Sequence, residues 1–279
     1  MTFPDSSASP AFKTLQPSPR MPALFIGHGS PMNAIEDNEW RRGWRALGRE
    51  FGTDAWPIPQ LILCVSAHWV THGWWLTGMD RPKTIHDFGG FPQELFAQQY
   101  PVPGAPAAAR EIAGLIGAGV DEGEWGLDHG SWSVLKPMFP AAEIPVVQLS
   151  LDWDRPPEEH LALGRKLRTL RDFGVLVVGT GNTVHNLRTL RRELPRDQAY
   201  DWTVAFDAKV AEHVRAGQLD ELARFQSWGE MARLAHPSHE HYLPLLYAAG
   251  AVDPARDQPR FFNEDFQAAS ISMRSVLWS

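Results

Sequence analysis

The chain has 279 residues, 43% hydrophobic and 21% charged, enough to fill one large core or two small ones. A formal net charge of -7 with no basic block argues against nucleic acid or an anionic membrane as partner. The single cysteine, Cys64, excludes an internal disulfide and a cysteine-based zinc site, and no window offers the roughly 18 apolar residues of a membrane span.

Residues 1–20 are rich in Ser and Pro and lack the apolar core of a secretory signal, so a flexible or loosely docked N-terminal arm is expected there. The first strand expected is 23–27, and it runs directly into Gly27-His28-Gly29-Ser30-Pro31. A helix is expected over 36–51. A second strand, 61–67, carries Cys64 as a core residue and ends in Ser66-Ala67-His68-Trp69, and a third is expected over 74–79. The stretch 82–106 has many Gly and Pro and little regular pattern, which suits a lid or pocket wall. Helices follow over 105–117 and 157–172, the latter with leucines at 161, 163, 167 and 170, and a strand over 144–150 lies between them. A strand over 174–179, helices over 200–215, 218–226 and 241–249, and a last strand over 269–277 complete the chain.

The apolar continuity of these strands suits a sheet covered on both faces. Without a linker-like break or an internal repeat, 21–279 reads as a single α/β domain: a central, mostly parallel or mixed sheet with helices on both sides. The expected setting is soluble and cytoplasmic.

Eleven histidines are unevenly placed. His28 and His68 end strands, and His185, in Gly181-Asn182-Thr183-Val184-His185-Asn186, lies just beyond another. His86 and His129 sit in Ile85-His86-Asp87-Phe88 and Asp128-His129-Gly130-Ser131-Trp132, while His236, His239 and His241 crowd together near the end. His160 and His213 fall in amphipathic helices and are expected to be solvated. A lone histidine is more often structural than a ligand. Three strand ends that each stop on a histidine among small residues are harder to explain by packing, and neutral imidazole is a common donor to divalent first-row metals. Asp87, Asp128 and Glu240 each adjoin a histidine and could accept the far N–H of a ligating ring.

Gly27-His28-Gly29-Ser30-Pro31-Met32, Ser66-Ala67-His68-Trp69, Ile85-His86-Asp87-Phe88-Gly89-Gly90-Phe91-Pro92, Asp128-His129-Gly130-Ser131-Trp132, Gly181-Asn182-Thr183-Val184-His185-Asn186-Leu187 and Glu240-His241-Tyr242-Leu243-Pro244 together resemble the DODA-type extradiol aromatic ring-opening dioxygenases. These belong to the wider class III, LigB-like superfamily. The resemblance runs in order from about residue 21 to the C-terminus and leaves out the arm 1–20. It implies a LigB-like α/β domain with one non-haem metal centre: His28, His68 and His241 as ligands, His185 as acid/base and possible fourth ligand, and His129 as a hydrogen-bonding residue on the substrate side. The wider superfamily usually has glutamate as third ligand; here Glu240 and His241 stand side by side, and DODA-like members favour the histidine.

The resemblance further implies insertion of O2 into a catechol, DOPA-like and cleaved at the 4,5 position, to give a ring-opened semialdehyde. Fe(2+) would serve catalysis, and an all-histidine site also suits Zn(2+). His185 would need a near-neutral pKa for its proton transfers. Trp69, Trp132 and Phe88 are candidates to wall the ring. An amino-acid substrate would need a carboxylate partner, for which Arg81, Lys83 and Arg188 are candidates. Two other readings stay open on the residues alone: a zinc-dependent hydrolase using the same histidines, and a non-catalytic metal-binding module. Oligomeric state is left undetermined.

Overall fold

The computed structural model describes residues 12–279. In chain order the elements are β1 (Ala23–Gly27), α1 (Glu39–Gly48), β2 (Leu61–Thr71), β3 (Trp75–Thr77), α2 (Gln93–Phe96), α3 (Pro106–Ile116), β4 (Gly119–Asp121) and α4 (His129–Met138). They continue with β5 (Val146–Asp152), α5 (Pro157–Leu167), β6 (Val175–Gly181), α6 (Asp201–Arg215), α7 (Leu219–Leu222), α8 (Glu230–Ala235), α9 (Leu243–Gly250), β7 (Pro259–Phe262), β8 (Phe266–Gln267), β9 (Ile271–Ser272) and β10 (Ser275–Trp278).

Eight strands form one sheet in the order β4-β3-β5-β2-β6-β1-β10-β7, and β8 pairs with β9 in a small separate ribbon. The middle four, β5-β2-β6-β1, are parallel; β3 against β5, β10 against β1 and β7 against β10 are antiparallel. The sheet is therefore mixed, with a parallel centre, as the apolar runs suggested. Alternate residues of these strands feed two cores. Ala23, Phe25, Leu63, Val65, Val147 and Val177 pack with α3, α5, α6 and α9, while Leu24, Ile26, Ile62, Cys64, Leu176 and Val178 pack with α1 and α4. The period of two delivers each strand's apolar residues to both faces, which is why the runs are continuous rather than alternating.

Several boundaries differ from expectation. The predicted helix over 157–172 keeps α-geometry only to Leu167 and continues as a 3-10 turn to Phe173, with Gly174 in the left-handed region closing it. The expected strand over 269–277 is broken into β9 and β10, and the Ser275 hydroxyl turns back to the Met273 carbonyl at the break. Helix α4 was not anticipated. Every residue of it but Lys136 is buried, so it has no polar face to reveal a helical period, and Pro137 interrupts it near its end.

Of the two states expected for the arm, its described part, residues 12–20, takes the docked one. Thr14 donates to the Glu111 carboxylate at 2.7 Å, Arg20 pairs with Asp172, and Leu15 is buried in the core. The remainder of that expectation, 1–11, lies outside the described residues.

Candidate active site

The parallel centre of the sheet brings the ends of β1, β2 and β6 to one edge, the place where open α/β sheets hold their ligands. His28 is the first residue after β1, its backbone N–H donating to the Gly181 carbonyl at the end of β6. His68 lies in β2 where the pairing with β5 shifts register between Val65 and Val70. An irregularity of that kind turns a strand side chain out of the regular alternation. His241 sits in the turn before α9, its carbonyl accepting from Asn182 N–H at 2.8 Å. Three segments separated by 40 and 173 residues thus meet, and one ring nitrogen from each of His28, His68 and His241 lies within 4.8 Å of the others.

The glycines among these histidines are steric requirements. A β-carbon on Gly130 would stand 2.4 Å from Ser66 Oγ and 2.8 Å from His68 Cδ2, and one on Gly181 would stand 2.1 Å from the His241 carbonyl oxygen. Small residues at the strand ends let the neighbouring loops close on the imidazoles.

The far side of each ring is held. Thr180 Oγ donates its one hydrogen to the Gly130 carbonyl, so it accepts from His28 Nδ1 at 3.1 Å. This places the His28 proton on Nδ1 and leaves Nε2 as a bare lone pair. Asp87 lies 3.3 Å from His68 Nδ1, and Glu240 lies 3.1 Å from His241 Nδ1. His28 Nε2 and His68 Nε2 then face each other at 3.2 Å. With the Asp87 carboxylate favouring the proton on His68 Nδ1, two lone pairs face each other at that separation, so the donor set fits a metal ion.

Burial, reinforced by the neighbouring histidines, holds the His28 and His241 rings well below the usual imidazole range. Burial and the His129 ring push His68 down to about 3 against the opposing pull of Asp87. All three are neutral at pH 7, the form that binds metals. Asp87 itself is buried, which opposes its ionisation, yet the His129 hydrogen bond and the nearby imidazoles hold it at about 2.

Of the sequence-adjacent carboxylates, Glu240 does contact His241. Asp87 reaches not His86 but His68 and His129, accepting from the His129 backbone N–H and meeting its Nδ1, each at 2.9 Å. Asp128 turns away from His129. It accepts from Ser66 Oγ at 2.6 Å and from Gln148, in a buried network that also holds Ser131. His86 bonds the Gln98 carbonyl and takes no part.

His185 stacks on His241 with ring centroids 3.4 Å apart and planes 7° from parallel. It forms a separate potential ligand group with Glu240 and His241, not with His28 and His68. Burial pushes it down to about 4, not to the near-neutral value expected, so it is a neutral base at rest. His129 is edge-on to His28 and 3.9 Å from the His68 ring centre.

A cavity of about 310 Å³ opens onto the five histidines, within the range of small-molecule sites. Its walls are largely apolar: Phe88 and Phe91 from the 82–106 segment, together with Leu187, Leu190 and Ile271. The irregular segment is a pocket wall, as expected. Of the three aromatics proposed to wall the ring, only Phe88 lines it. Trp69 stacks on Trp125 elsewhere, and Trp132 is buried behind, its indole N–H on the Ile85 carbonyl. His160, expected to be solvated, is buried and bonds the Tyr247 hydroxyl at 2.7 Å. Sequence reasoning missed Thr180, which its place one residue before a strand end could have indicated, and also Arg192, Gln267 and Ile271 in the cavity wall. Arg81 and Lys83 line a different surface pocket.

Residues 22–275 match the family model of the catalytic LigB subunit of aromatic ring-opening dioxygenase. The chain is 44% identical to a 4,5-DOPA dioxygenase extradiol of Escherichia coli strain K12, over 93% of this chain and 95% of that one. It is 36% identical to a 4,5-DOPA dioxygenase extradiol of Beta vulgaris, over 82% of this chain and 86% of the other. Among solved structures, an uncharacterized protein from Escherichia coli K12 superimposes with a TM-score of 0.77 at 41% identity, covering 92% of this chain and 99% of that one.

Proposed function

Because the chain belongs to the LigB family of aromatic ring-opening dioxygenases and is an extradiol ring-cleaving oxidoreductase, we propose that it opens a DOPA-like catechol at the 4,5 bond with a metal ion held by His28, His68 and His241. The observation that carries the reading is the convergence of three neutral imidazoles, each facing a protein oxygen on its far side, in the lining of a largely apolar cavity. Fe(II) bound there would supply Lewis acidity toward the catechol oxygens and a redox partner for O2, whereas Zn(II) would supply the first alone.

The protein's own groups do the rest. Phe88, Phe91, Leu187, Leu190 and Ile271 bury the aromatic ring and exclude water from it. His185, neutral at rest, accepts a catechol hydroxyl proton on a ring nitrogen. The imidazolium so formed is a strong acid in this buried setting and returns the proton to the oxygen that acquires charge as the ring opens. His129, with Nδ1 committed to Asp87, turns Nε2 to the substrate oxygens. Because Asp87 touches both His129 and His68, it couples the orientation of a substrate-side ring to that of a ligand ring. Family membership removes the support for a zinc hydrolase and for a non-catalytic metal module.

The test is anaerobic reconstitution with Fe(II) or Zn(II), followed by O2 and a panel of catechols. O2 uptake matched by a yellow ring-opened product with Fe(II), and none with Zn(II), is expected. Absence of uptake with every catechol would remove the proposal.

A further inference from the structure

A second hollow of about 300 Å³ adjoins the cavity, and the two share Ser30, Phe91, Arg192, Gln267 and Ala268. Arg192 therefore stands at the junction. Among the described residues it is the one Lys or Arg lining the inner cavity, and the one carboxylate there, Asp87, is taken up by His68 and His129. The neighbouring cations are neutralised: Arg191 pairs with Glu193, and Arg196 pairs with Glu39 and Asp265. Arg192 has no ion pair, side-chain hydrogen bond or aromatic partner among the described residues, though carboxylates crowd this surface. Glu36 lines only the outer hollow, so Arg192 is the charge that a ring substituent meets first.

We infer that Arg192 is a specificity-determining residue that binds a carboxylate at the end of the catechol's side chain, selecting catechol acids over neutral catechols. This rests on the proposed catechol site and identifies the class of substrate for it. With the two ring hydroxyls at the histidines and the apolar walls around the ring, a side chain para to a hydroxyl has the outer hollow as its exit. A guanidinium suits a carboxylate there because its paired N–H donors match both oxygens. Of the other cations considered for this role, Arg81 and Lys83 lie at a separate pocket and Arg188 lines neither hollow.

The probes are 3,4-dihydroxyphenylpropanoate and its primary amide, equal in shape and different in charge. Their binding is measured by calorimetry without oxygen, and their turnover with Fe(II)-loaded enzyme, for the wild type, Arg192→Met and Arg192→Lys. The wild type should bind the acid more tightly than the amide by about tenfold, the order of a charge-assisted hydrogen bond. Arg192→Met should abolish that preference, raising KM for the acid more than it lowers kcat, and Arg192→Lys should restore part of it. A wild type that binds acid and amide alike, or a preference that survives in Arg192→Met, overturns the inference while leaving ring cleavage intact. A charge preference in binding with no O2 uptake upholds the role of Arg192 and overturns the dioxygenase reading instead.

Discussion

At the scale of single residues, the histidines divide by what holds them. His28 and His241 have Nδ1 hydrogen-bonded to an oxygen and His68 has Nδ1 facing Asp87 at 3.3 Å, which suits the three to the proposed metal, whereas His185 is stacked on His241 with no such partner among the described residues, which suits it to the proposed proton transfer. The division predicts opposite phenotypes. His68→Ala should lose the metal and the activity together. His185→Ala should keep close to one metal per chain and lose turnover by roughly a hundredfold or more, the usual weight of a positioned acid or base. Metal analysis of the two purified variants checks this, and equal metal content would contradict it. His28 and His68 were legible because apolar runs deliver them to a sheet edge. Their carboxylate partners were not, since sequence adjacency selected His86 for Asp87 where the fold selects His68 and His129. Arg192 was hidden in an arginine-rich stretch, 188–196, whose members differ only in which acids the fold sets beside them.

At the scale of elements, the site depends on how closely α4 approaches the end of β2. Gly130 opens that contact, since a side chain there would collide with Ser66 and with the His68 ring. Gly130→Val should cost about 1–3 kcal/mol through overpacking and should also displace His68, so that metal affinity and melting temperature fall together. A variant with native metal affinity would show that α4 is not what sets the ring. The strands of the parallel centre were readable as apolar runs of the right length. The short flanking strands β4 and β7, partly exposed, have no such run. Helix α4 escaped notice because it is buried nearly all round, so the helix that carries His129 was the one whose periodicity the packing erased.

At the scale of the whole molecule, the chain folds with neutral histidines inside it, some outside the three-imidazole cluster. Burial lowers the His160 ring, and it pushes His236 down to about 3 from an ordinary value near 6.5. Between those values the unfolded chain holds a proton that the folded chain refuses, so stability is complete above about pH 6.5 and declines as the pH falls. Each such histidine contributes up to about 1.4 kcal/mol per pH unit in that window. Thermal melts from pH 8 to pH 5 should show a falling midpoint below pH 6.5, and a flat profile would contradict neutral burial. The architecture itself was the most legible level, because a mixed sheet covered on both faces follows from strand composition. The arm was less legible: its composition left flexible and loosely docked both open, and in the described part Leu15 and Thr14 find partners on the folded domain.

The central claim is that one metal ion sits on three imidazoles. A crystal structure of protein grown anaerobically with Fe(II), with anomalous data at the iron edge, tests it most directly. The expected result is a single iron peak about 2.1 Å from a ring nitrogen of each of His28, His68 and His241, with the Glu240 carboxylate still on His241 Nδ1. An iron bound by Glu240 in place of His241, or a peak away from these three rings, would contradict it.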